Sequence, residues 1–217
     1  KLGILKLLGE AVNIKFILPR YISKRDSALQ FLFELASQTL REDSEEIQKD
    51  AAAYVLYKIF VSFVRKIRNS PEIIETTFEL ISHNFLIDNV RLHKLIYDLF
   101  FVMAFNLNDK LSITQIEQMQ NSIKQDISSR NDDIKKIALS FLRKASKSEK
   151  LNPIIAICPQ TLTEIIINLL PNIENSFAYE DDESLSHFAY HALKGFSIYS
   201  EEKDFVFSAV KSYFNEK

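Results

Sequence analysis

The chain has 217 residues, 47% hydrophobic and 26% charged, a balance that excludes a disordered chain and fits a folded domain with a core. Its net charge of −2 gives no global pull toward nucleic acid or anionic membrane, and a single cysteine, Cys158, excludes an intrachain disulfide and a cysteine-rich zinc site. Three glycines, where average usage of about 7% would give roughly fifteen, argue against tight hairpins and phosphate-cradling loops and suit helices joined by short turns. The apolar runs are broken by charge or Asn before they reach a bilayer-spanning length, and the first residues lack a secretory cleavage site. A start at Lys1 rather than Met is expected of a fragment of a longer protein, and equally of a chain whose initiator was removed.

Residues 1–19 read as one helix or two short ones, stopped or kinked at Pro19 and apolar enough to pack on a preceding repeat. Arg25–Leu40 is amphipathic, with Ala28, Leu29, Phe31, Leu32, Leu35, Ala36 and Leu40 on its apolar face. Asp43 and Glu46 have capping-box spacing and open a helix over about 45–68, whose all-round hydrophobicity predicts burial between neighbours. Its basic end, Arg65-Lys66-Ile67-Arg68, complements the helix dipole. Ser70-Pro71-Glu72 supplies a cap, a first-turn proline and an acid for a helix ending near Asn84. Asp88 or Asn89 caps the next, which runs through Leu92, Leu95, Ile96, Leu99, Phe100, Val102, Met103 and Phe105. Ser112 and Gln115 form another capping box, opening a more polar helix to about Ile127.

Asn131 then caps a helix with Asp132 and Asp133 in its first turn, a stripe of Ile134, Ile137, Ala138, Phe141 and Leu142, and Arg143 and Lys144 at its far end. Residues 147–153 read as a loop, Thr161 with Glu164 opens a helix to Pro171, and the acidic stretch 173–184 reads as an exposed turn. Two last helices cover about 183–197, ending near Gly195, and about 201–215, capped by Ser200.

One helix design recurs. Stripes begin at Ile47, Val90, Ile134 and Leu185, at steps of 43, 44 and 51 residues. Helices beginning near 71, 113 and 161 precede the later three. Calling the earlier helix of each pair A and the later B, each pair leaves an apolar face that the next pair must cover. The expectation is an all-α chain: an α-α superhelix of about 4–5 antiparallel helix pairs, forming one repeat domain over 1–217. The start of the array reads in two ways, because Ile17–Ala36 also fits a Pro-terminated A helix running into a B helix, which would make 1–40 the first repeat.

The segment Leu169–Phe196 has Leu-Leu-Pro toward the end of an A helix, an acidic turn, and a B helix with alanine on its packing face. Asp133, Ile134, Lys135 and Ala138 match an acid-x-Val-Arg-x-x-Ala element, Glu46, Ile47 and Ala51 carry part of it, and Asn89, Val90 and Arg91 do so with Lys94 in the alanine place. Over roughly 25–197 the chain resembles the HEAT-repeat family, with armadillo-type arrays as near relatives. The resemblance implies a non-catalytic scaffold or adaptor, a segment of a larger assembly protein, holding another protein on its B-helix surface or inter-helix turns. A single thiol is compatible with a reducing compartment, and the expected location is intracellular, cytoplasmic or nuclear. The tubulin-binding variety is disfavoured, because the chain has no Trp.

Site chemistry is sparse. His187 and His191 have metal-ligand spacing, but Phe188 stands where a zinc protease needs glutamate, and surface or half-buried histidines are the commoner reading. His83 and His93 have no evident constellation, Cys158 has no evident base, and Asp132/Asp133 and Asp181/Asp182 fall at helix starts, where capping explains them. No enzyme, cofactor, metal or small-molecule substrate is expected. The expected protein-binding residues are Lys49, Arg91, Lys94, Lys135, Lys136, Arg143 and Lys144, on the exposed sides of B helices. The alternative is nucleic-acid or acidic-ligand binding through the basic run at 130–150, where Arg130, Lys147 and Lys150 join four of these.

Overall fold

The computed structural model describes residues 3, 26–85, 87–148, 163, 166, 167, 169, 185–199 and 203–215. The expected helix at 1–19, most of the helix from Thr161, the acidic turn, Cys158 and the Ser200 cap lie outside them. The described residues form α-helices and a 3₁₀ turn and contain no strand, as the stripes predict. They fall into two compact units, Lys1–Leu111 and Ser112–Lys217.

The first unit holds α1 (Asp26–Arg41), α2 (Glu46–Ile67), α3 (Pro71–Asn84), α4 (Val90–Leu107) and the 3₁₀ turn Asn108–Lys110. Helix α1 packs on α2 and on α3, and α2 packs along α4. This pattern settles the ambiguous start within the unit: α1 is the A helix of the α2 pair, and A stacks on A while B stacks on B. Three consecutive alanines, Ala51–Ala53, are buried in α2 and let neighbouring backbones come close. The helix leaves regular geometry at Phe63, whose ring is buried.

Polar ties bind the stacked helices at about the repeat step. Asn89 caps α4 by accepting from the Leu92 amide at 3.0 Å, and its side-chain amide donates to Glu46 of α2 at 3.1 Å. At the other end Arg68 of α2 donates to the Asn106 carbonyl at 3.2 Å and pairs with Asp109. Between the A helices, the buried Asn84 amide donates to the Leu40 and Leu80 carbonyls at 3.1 and 2.8 Å. Phe78, Phe85, Tyr97 and Phe100 fill the space between α3 and α4, with His93 edge-on to Phe85 at 4.8 Å and its Nε2 donating to the Ile87 carbonyl at 2.9 Å. His93 is therefore a satisfied core histidine.

Several local expectations are corrected here. The Asp43–Glu46 capping box does not form: Glu45 is the N-cap, without a side-chain cap bond, and Glu46 is engaged by Asn89. Ser70 is the N-cap of α3 with Pro71 following, as expected, but its hydroxyl donates back to the Lys66 carbonyl at 3.3 Å in place of a side-chain cap bond. Phe31, placed on the apolar face of α1, is 60% exposed. Ile47 and Val90, where the stripes were set to begin, are also exposed, whereas burial starts at Lys49 in α2 and Leu92 in α4.

The second unit holds α5 (Ile113–Ile127), α6 (Asp132–Ala145), α7 (Leu185–Tyr199) and α8 (Lys203–Asn215). The Ser112–Gln115 capping box is complete, and Asn131 accepts from the amides of Asp133 and Ile134. Helix α6 buries Ile134, Ala138, Phe141 and Leu142 as expected, and adds Leu139. It packs between α5 and α7, and α7 packs on α8. Helix α7 does not end at Gly195. A β-carbon there would overlap the Ser146 hydroxyl and approach Ser146 Cβ to 2.9 Å, so the glycine marks a close crossing of α6 and α7.

Candidate interaction surfaces

The seven basic residues expected to meet a partner occupy different environments. Lys49 is only 9% exposed, because the burial register of α2 begins at that residue, and it is not on the outer face expected of it. Arg91 is largely exposed, with Nε 3.8 Å from Asp50 of the adjoining helix, and Lys94 is exposed. Burial holds the Asp50 carboxyl above its ordinary range; Arg91 opposes this, Glu46 adds to it, and the Asn89 hydrogen bond opposes it. Desolvation prevails because Asp50 is 8% exposed and its Oδ1 has no protein partner.

On α6, Lys135 pairs with Asp132 at 2.8 Å and Lys136 with Asp133 at 3.8 Å. The Lys135 hydrogen bond and charge hold Asp132 below the usual carboxylate range. These pairs leave the α6 N-terminus locally balanced. The far end is different. Lys144 and Lys147 are exposed and Arg143 is half-buried. The Ser146–Gly195 crossing brings this end against α7, where the His187 and His191 rings lie 4.3 Å apart and are tilted by 60°. Burial lowers the His191 pKa, helped by Arg143, His187, Lys194 and Lys147. Two features remote in sequence, the basic run and the histidine pair, are thus brought together, with Arg143, Lys147 and Lys194 as the cations around His191. Sequence reasoning missed Lys194, and the close crossing at Gly195 is the signal that would have found it.

The described residues contain no group of three or more His, Cys, Asp or Glu able to hold a metal ion, and no helix long and apolar enough to cross a membrane. On α4 the Phe101 and Phe105 rings stack at 6.0 Å, with Phe105 38% exposed beside the polar face.

No family model matches the sequence, and no curated protein matches it. Among solved structures, the chain is similar to a designed armadillo repeat protein, with 13% identity and a TM-score of 0.62, over 99% of this chain and 84% of that one. Identity at that level speaks to fold alone. Together with A-on-A packing in the first unit and B-on-B packing in both, it establishes the fold that the repeats led us to expect: the chain is an all-α solenoid of armadillo type.

Proposed function

We propose that the chain is a non-catalytic protein-interaction scaffold, one repeat domain over 1–217 that serves as a segment of a larger intracellular assembly protein. The armadillo-type fold across almost the whole chain carries this reading. Such a fold presents successive helices as a continuous surface for a macromolecule. In the first unit the contact surface is the outer side of α4, with Arg91, Lys94 and the exposed Phe105 edge. A charged rim beside an aromatic anchor suits a protein partner. In the second unit, the residues proposed for contact are Arg143 and Lys144. Affinity capture with the full-length parent, followed by cross-linking, tests the reading. Arg91→Glu/Lys94→Glu is expected to remove cross-links to α4 and weaken capture. Cross-links confined to other faces, with capture unchanged, would refute it.

A second reading is an acidic ligand at the α6–α7 cluster, favoured by the convergence of Arg143, Lys147, His187, His191 and Lys194. A single-stranded oligonucleotide is the probe. Binding that weakens steeply with salt and is lost in Arg143→Glu/Lys147→Glu is expected. Absent or salt-insensitive binding would eliminate this reading.

A further inference from the structure

Within the first unit a polar cleft of about 560 Å³ opens between α1 and α3. Glu34 from α1, Glu42 just beyond its end and Glu72 from α3 line it, with one guanidinium, Arg41, which leans toward Glu79 at 3.9 Å. Gln30 donates to Glu34 at 3.1 Å, which holds that carboxylate in place and leaves it acceptor capacity, and Gln38 donates to Glu42 at 2.8 Å. Phe33 and Ile73 give the cleft apolar wall.

Ser37 also lines the cleft. It is 4% exposed, and its hydroxyl has no hydrogen-bond partner in the protein. Its neighbours show the usual resolution: Thr39, Ser70 and Thr77 each donate to the carbonyl four residues back, at 2.9, 3.3 and 2.6 Å. Ser37 does not, and a buried hydroxyl without a partner is the kind of group a ligand satisfies.

The acids of the cleft do not converge as a metal cage does, since no metal-holding group exists among the described residues. An elongated organic cation fits better. We infer that the α1–α3 cleft binds an aliphatic ammonium group, with Glu34 and Glu72 and the Ser37 hydroxyl receiving its N–H donors and Phe33 and Ile73 lying against its methylenes. Such a group comes from a free polyamine or from a lysine side chain of a partner. This site is on the A helices of the first unit and does not include the proposed α4 contact residues.

Calorimetric titration of the whole chain with spermidine, and separately with the blocked tripeptide Gly-Lys-Gly, tests the inference and separates the two sources. Saturable binding at physiological salt is expected. In Glu34→Gln/Glu72→Gln it weakens roughly tenfold or more, as loss of charge-assisted contacts implies. In Ser37→Ala it weakens several-fold while the melting temperature does not fall, because the substitution also removes an orphaned buried hydroxyl. Tighter spermidine binding assigns the cleft to a free polyamine, and equal or tighter tripeptide binding assigns it to a partner's lysine. No binding of either probe, or binding unchanged by both variants, would overturn the inference.

Discussion

Gly195 sets two opposing effects against each other. Alanine inside a helix is favoured over glycine by about 1 kcal/mol from propensity alone. The added methyl would meet Ser146, which is itself buried, and overpacking of that kind costs about 1–3 kcal/mol. Gly195→Ala is therefore expected to lower the melting temperature, and Ser146→Gly in the same chain to restore it, both read by thermal denaturation. Asp50 gives a pH-dependent counterpart. Its folded pKa is raised above the ordinary 3.8, so its contribution to stability is full below pH 3.8 and is lost as pH rises through the folded value. Asp50→Asn removes that loss. Unfolding free energies of wild type and variant are expected to diverge in the variant's favour as pH climbs above 3.8, and parallel curves would refute the assignment. Neither residue's environment is visible from its own neighbourhood in the sequence. Gly195 resembles a helix terminator until Ser146 is placed beside it, and Asp50 resembles a surface acid until α4 covers it.

At the scale of the element, the caps show what local sequence determines. Asn89, Ser112 and Asn131 each accept a backbone bond at the helix start that their side chains and spacing indicate. Asn131→Ala is expected to cost about 1 kcal/mol, measured by denaturant unfolding, because amides of two residues lose their acceptor. Asp43 was misread as a cap, and Ser70 holds the expected N-cap position without a side-chain cap bond. Chain geometry starts α2 after Glu45, and the Lys66 carbonyl takes the Ser70 hydroxyl. The stripes were legible in the same partial way. Periodicity located every described helix, but the edges of a stripe depend on what lies across from it. Ile47 and Val90 fell outside the covered face, whereas Lys49, Asp50 and His93 fell inside it. That shift is why Lys49 was wrongly expected on an outer surface. Lys135 and Lys136, also expected on the exposed side of their helix, are half-buried and pair with Asp132 and Asp133. The mutual pairing makes only a small contribution, so Lys135→Ala/Lys136→Ala is expected to change stability by less than about 1 kcal/mol.

At the scale of the molecule, repetition made the fold readable. A helix pair with an uncovered apolar side, recurring at nearly constant spacing, requires a neighbour, and this requirement is independent of particular residues. It is satisfied inside each unit, where α2 covers α4 and α6 covers α7. A resemblance that persists at 13% identity is the same requirement met by different side chains. The binding surface was less legible, since packing constrains the inner face of a helix and leaves the outer face free to serve any partner. The α1–α3 cleft was invisible for a further reason: its residues look like ordinary helix-surface polar positions until two A helices are laid side by side. The dependence of each pair on its neighbour is tested most directly on residues 112–148, which contain α5 and α6 alone, with far-UV circular dichroism beside the full chain. These helices are 15 and 14 residues long, marginal by themselves in water. The isolated pair is expected to show a small fraction of the full chain's helicity per residue and no cooperative melting. Full helicity with a sharp melting transition in the pair alone would contradict the stacked-array account.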